Sequence, residues 1–116
     1  MRTIRIAMAQ INPTVGDLSS NTKTIRKFID RAKDADADLV VFPELAVTGY
    51  PPEDLLLKPR FVDDNIKRLK SIAHKTRGIT AVIGFVDSRE DIYNAAAVIH
   101  KGEVAGIYHK MFLPNY

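Results

Sequence analysis

The chain has 116 residues, 46% of them apolar and 27% charged, with a net charge of +3 and no cysteine. That length fits one domain with a buried core, and the balance is that of an ordinary folded chain. The absence of cysteine excludes a disulfide framework, thiolate metal sites and a thiol nucleophile within these residues, and no apolar run approaches the roughly 18 residues that a membrane-spanning helix needs.

Arg2 to Gln10 reads as a first strand: Ile4, Ile6 and Met8 alternate, and Ala7 and Ala9 are small enough to be covered on the other side. The charge at Arg5 and the amide of Gln10 break any signal-peptide core, so a cytoplasmic location is expected. Turn-forming residues fill 12–17. A helix is expected to begin near Ser19 to Asn21, any of which can cap it, with Ile25, Phe28, Ile29 and Ala32 as its apolar stripe and 36–38 as its close. Leu39-Val40-Val41-Phe42 has the continuous apolar character of a strand covered on both faces, and Pro43 ends it. Strand, helix, strand predicts a parallel βαβ start. A second loop spans 49–54. Pro59 then introduces a helix carrying Val62, Ile66, Leu69 and Ala73 on one face and ending near Gly78.

Residues 79–86, 92–100 and 103–109 read as three further strands, the last two joined by a tight Lys101-Gly102 hairpin. The whole reads as one α/β unit over residues 1–116, without an internal boundary. Its basic residues do not cluster. Arg26, Lys27, Arg31 and Lys33 alternate with Asp30, Asp34 and Asp36, while Lys67, Arg68 and Lys70 follow Asp63 and Asp64. These are solvated helix faces rather than a nucleic-acid footprint.

Two residues stand where chemistry is placed in open α/β sheets, beyond the carboxyl ends of strands. Glu44 follows Pro43 at the end of the second strand and is placed like a general base. Lys110 follows the last strand and could stabilise a developing oxyanion. From position alone each reads more readily as an idle surface residue, and a separation of 66 residues says nothing about contact. His74, His100 and His109 lack metal-ligand spacing, and His109 reads as a strand-end residue. No P-loop and no G-x-G-x-x-G occurs, so no nucleotide site is expected in this chain.

Met8-Ala9-Gln10-Ile11-Asn12-Pro13, Phe42-Pro43-Glu44-Leu45 with Thr48-Gly49-Tyr50, and Tyr108-His109-Lys110 with Leu113-Pro114 resemble the nitrilase superfamily of carbon–nitrogen hydrolases. Within it, Gly49-Tyr50-Pro51-Pro52-Glu53-Asp54-Leu55-Leu56, Tyr93-Asn94-Ala95-Ala96 and Leu113-Pro114-Asn115-Tyr116 are most similar to the glutaminase domain of glutamine-dependent NAD synthetases. The resemblance runs the whole length. It implies part of a four-layer αββα sandwich with a mixed sheet, of which 1–116 is the N-terminal portion, incomplete at its C-terminus.

The resemblance also assigns roles. Glu44 would be the general base of a Glu–Lys–Cys set and Lys110 would hold the oxyanion, while Tyr50 and Tyr116 would line the glutamine pocket. The cysteine and a second supporting glutamate would lie beyond this chain, which is therefore expected to be inactive alone. Ammonia from glutamine would pass to a C-terminal synthetase domain that uses ATP and Mg²⁺ to amidate deamido-NAD. No cofactor is expected in this chain itself. Family members assemble through multiple subunits, so a homo-oligomer is implied, with no nucleic-acid or membrane partner. Two alternatives stand beside this reading: a fragment of another nitrilase-family amidase, and a non-catalytic binding or assembly module. An incomplete sandwich should expose an apolar sheet edge or have it covered by a partner.

Overall fold

The computed structural model describes residues 2–113. Its elements are β1 (Ile6–Met8), α1 (Leu18–Asp34), β2 (Leu39–Val41), a short 3₁₀ helix (Glu53–Leu57), α2 (Pro59–Lys75), β3 (Thr80–Ser88), β4 (Ile92–His100) and β5 (Glu103–Phe112). The strands form one five-stranded mixed sheet in the order β1-β2-β3-β4-β5. β1, β2 and β3 pair in parallel, because each connection between them is a helical crossover. β3, β4 and β5 are antiparallel and joined by short turns.

Both helices pack on the same face of the sheet. Ile25, Ile29 and Ala32 of α1 and Leu69, Ile72 and Ala73 of α2 share one core cluster with Val40, Ala81, Ile83, Phe85, Ala97 and Ile99. Alternation along the strands turns their neighbours to the other face. There Ile6, Met8, Val98 and Tyr108 are exposed, Met8 to 73%. The described residues thus form a helix layer and a sheet layer, with the second sheet face bare except where the turn through Leu45 covers Gly84 and Val86.

Several boundaries differ from the sequence reading. The first strand pairs only over Ile6–Met8, because β2 offers it just three partners. α1 begins at Leu18 and is capped by Asp17, whose carboxylate accepts from Ser20 N at 3.0 Å, rather than by Ser19, Ser20 or Asn21. An anion at this position also faces the positive end of the helix. Asn21 is used elsewhere: its buried amide holds Thr14 N and O, each at 2.8 Å, and Val47 O at 3.0 Å. α2 includes Pro59 as its first residue and stops at Lys75, short of Gly78, as Thr76 turns extended and its hydroxyl bonds back to Ile72 O at 2.7 Å. Residues 53–57 straddle the end of the loop expected over 49–54 and form the 3₁₀ turn. β3 and β5 run further than expected, to Ser88 and Phe112. The Lys101-Gly102 hairpin is as read, with both residues at positive φ.

Candidate active site

Glu44 is placed by a turn that the third strand has to accommodate. Phe42 N–H still donates to Val82 O at 2.9 Å, but Pro43 has no donor to continue the ladder. The chain then reverses through Leu45 at φ 50°, a left-handed conformation that a leucine rarely adopts. It returns to β3 where Val47 N–H donates to Gly84 O at 3.2 Å. Gly84 makes this approach possible, since a Cβ there would lie 2.5 Å from Leu45 N and 2.6 Å from Pro43 O. On the far side the Asn21 amide ties Val47 to α1.

Lys110 arrives from the opposite direction on β5. Ala95 pairs with His109 and Asn94 with Met111, so Lys110 is the extra residue of a β-bulge. Its Nζ donates to Glu44 Oε1 at 2.7 Å, closing the gap of 66 residues. The amide of Asn94, almost fully buried, donates to the same oxygen.

The electrostatics are set by these contacts. The hydrogen bond from Lys110 holds the Glu44 carboxyl below the usual glutamate value; partial burial opposes this, and the Asn94 bond and the ammonium charge reinforce it. Lys110 is pushed above the usual lysine value, chiefly by its bond to Glu44 and by that carboxylate's charge. Tyr108 and Tyr50 add smaller upward contributions, which puts Tyr50 within electrostatic reach of the ammonium. At neutral pH the pair is ionised. Both side chains remain open to solvent, at 59% for Lys110 and 38% for Glu44, so a reactant could approach them.

The structure brings together Glu44 and Lys110 and sets Tyr50 nearby, largely exposed. Tyr116 lies outside the described residues. Asn94 is the site residue that reasoning from the sequence missed. The signal was a lone amide beside three alanines in a strand, a polar group that burial obliges to find a partner. An apolar cavity of about 380 Å³ opens at the carboxyl ends of β1 and β2, walled by Met8, Ile11, Val41 and Phe42 and reaching Pro43, the residue before Glu44. His109 is bound to Asp87 at 2.7 Å, His100 lies 3.0 Å from the Thr80 hydroxyl, and His74 is exposed on α2. Among the described residues no group of three or more His, Cys, Asp or Glu could hold a metal ion.

Residues 5–116 match the family model described as carbon-nitrogen hydrolase. The chain belongs to the carbon–nitrogen hydrolase family. This carbon–nitrogen hydrolase chain is 49% identical to the glutamine-dependent NAD(+) synthetase of Thermotoga maritima, over all of the chain and 20% of that protein. It superposes on the structure of glutamine-dependent NAD+ synthetase from Acinetobacter baumannii, solved with ADP, with a TM-score of 0.89 and 41% identity over 100% of this chain and 22% of that one. A variant of the amidase from Nesterenkonia sp. AN1, with one glutamate replaced by glutamine, shows acrylamide added at its active site cysteine. It matches with a TM-score of 0.80 and 28% identity, over 98% of this chain and 46% of that one. The nitrilase fold expected from the sequence is thus the fold of its structural neighbours. The chain spans about a fifth of the length of the curated relatives it matches. Among the described residues, no helix is long and apolar enough to cross a membrane.

Proposed function

We propose that this chain contributes the glutamate and the lysine of a glutamine-hydrolysing centre in a glutamine-dependent NAD synthetase. The observation that carries the reading is the 2.7 Å contact between Glu44, in the turn after β2, and Lys110, in the bulge of β5, in a chain so similar to such synthetases. The nucleophile is a cysteine thiol from residues beyond this chain, whose own sequence contains none.

In this reading Glu44 takes the proton of the thiol, and sulfur attacks the side-chain amide carbon of glutamine. Lys110 stabilises the negative charge that gathers on the amide oxygen. The carbon–nitrogen bond breaks, and Glu44 returns the proton to the departing ammonia. Water, giving its proton to Glu44, then attacks the thioester carbon; the carbon–sulfur bond breaks, glutamate is released, and Glu44 passes the proton to the departing thiolate. A free thiol titrates near 8.5, whereas Glu44 is held below the usual glutamate value, so the first transfer is uphill in isolation. The neighbouring ammonium offsets part of that gap by favouring the thiolate. Tyr50, and Tyr116 beyond the described residues, line the glutamine pocket.

Ammonia then serves a synthetase domain that amidates deamido-NAD with ATP and Mg²⁺, in a homo-oligomeric, cytoplasmic enzyme. In this reading the nucleotide and its metal are held by the synthetase domain, and this chain contributes no residue to them. The chain by itself is inactive.

The test is ammonia release from glutamine. The 116-residue chain should release none, and activity there would overturn the thiol mechanism. A full-length protein carrying this sequence should release ammonia, and Glu44→Gln or Lys110→Ala should each lower the rate by about 10²-fold or more. Wild-type rates in either variant would remove the assigned role. A second reading, an amidase without a synthetase function, is favoured by the match to the Nesterenkonia enzyme. It predicts amide hydrolysis with no ATP-dependent formation of NAD.

A further inference from the structure

On the helix-facing side of the sheet, directly behind the Glu44–Lys110 pair, lies a second polar cluster that the proposed chemistry does not use. Asp87, at the end of β3, is buried, with its side chain 6% exposed. Its carboxylate accepts from Ser88 N at 3.0 Å and from Arg89 Nε at 3.4 Å, and it binds His109 Nε2 at 2.7 Å. The His109 ring also stacks on Tyr93, with centroids 4.1 Å apart and planes 1° from parallel. The imidazole is thus held both at its edge and on its face.

The cluster and the site share two stretches of backbone. Tyr93 and Asn94 are neighbours on β4, and His109 and Lys110 are neighbours on β5. In each couple one residue belongs to the cluster and the other to the site. The bulge falls at this place: His109 keeps its partner Ala95, while Lys110 has none across the ladder. A bulged residue lacks the cross-strand hydrogen bonds that would fix its backbone, so something else has to define where its side chain is aimed. The one described anchor immediately beside it is His109.

We propose that Asp87 and His109, with Tyr93 stacked on the imidazole, form a clamp that sets the bulge and so aims Lys110 at Glu44. Both are positioning residues: neither touches the reacting groups. The charged or titratable groups around the carboxylate are Arg89, just past its own strand, and His109 on β5, with Lys70 of α2 lining the same cavity of about 440 Å³. Of these, His109 alone is joined in sequence to the site.

This inference rests on the reading of Glu44 and Lys110 as a pair, and one experiment separates the two. The Glu44 side-chain carboxyl is followed by ¹³C NMR through an acid titration of the 116-residue chain. Lys110→Met should move its midpoint upward, since the cation that holds it down is gone. His109→Ala should produce at least half of that displacement with Lys110 still present. His109→Gln, whose amide can reach Asp87 as Nε2 does, should restore a midpoint close to wild type. A merely structural role for His109 would alter stability without moving the Glu44 titration. If Lys110→Met displaces the midpoint and His109→Ala does not, the clamp is overturned while the pair stands. If Lys110→Met has no effect, the pair is overturned and the clamp with it. Should His109→Ala fail to fold, Asp87→Leu, nearly isosteric and without a hydrogen-bonding group, is judged by the same rule.

Discussion

At the scale of the residue, Glu44 is governed by which neighbours face it: a cation, an amide and open solvent. Its folded pKa is depressed, so its contribution to stability is present above the ordinary glutamate value and is lost as pH falls through the lowered one. Lys110 has the opposite sense. Its folded pKa is raised, so its contribution holds below the ordinary lysine value and disappears as pH climbs through the higher one. Because both side chains are substantially exposed, each effect should be small. Denaturant melts of wild type and Glu44→Gln should differ more at pH 7 than in acid below the lowered Glu44 value, where the wild-type carboxylate is protonated. An equal gap at both would refute the pairing. Asn94→Asp is a sharper probe. It replaces a donor with a like charge beside Glu44, and the Glu44 titration should move upward.

At the scale of the element, the site depends on close packing between a turn and a strand. Gly84→Ala would drive a methyl group into the backbone of Pro43 and Leu45. The expected cost is about 1–3 kcal/mol in a denaturant melt, with the Glu44 titration displaced because the turn must lift. A fully stable variant with unchanged titration would mean that the turn has room to spare. By contrast Ile25→Ala removes volume from the core beneath α1, away from the site. It should cost about 2–5 kcal/mol in the same melt while leaving the Glu44 midpoint where it is.

The helices and strands were legible because their apolar periods differ: Ile25, Ile29 and Ala32 recur at helical spacing, whereas Ile83, Phe85 and Ala97 lie in runs rich in β-forming or small residues. The parallel start and the hairpin came from connection length and from Lys101-Gly102. What sequence could not reveal were choices made by tertiary partners. Asp17 rather than Ser19, Ser20 or Asn21 caps α1, since the Asn21 amide is engaged by the 12–17 and 44–49 loops. Glu44 and Lys110 could be named from motif resemblance and strand ends. Their contact, and the Asn94 and Asp87–His109 contributions around it, depend on the pairing of β3, β4 and β5, which local pattern does not encode.

At the scale of the molecule, the dominant feature is a sheet dressed on one side. A row across four strands, Met8, Val41, Val82 and Val98, is in register on the bare face, with Met8 and Val98 exposed. Apolar surface of this kind attracts other apolar surface. The 116-residue chain should therefore bind a hydrophobic dye and self-associate as its concentration rises. Met8→Lys should weaken both without altering the circular dichroism spectrum. Dye binding equal to a compact globular control would show that the face is less apolar than its residues suggest.

The bulge that carries Lys110 also gives the site a clock. During synthesis Glu44 leaves the ribosome 66 residues before its partner, which at about 5–20 residues per second is an interval of roughly 3–13 s. Throughout that interval the carboxylate lacks the Lys110 cation, and for its first part also the β3 strand that seats its turn. The β3–β4–β5 meander, built from neighbouring strands, can zip up as soon as its last strand emerges. Formation of the ion pair therefore waits for β5, and it marks the moment at which the parallel and antiparallel parts of the sheet first share a site.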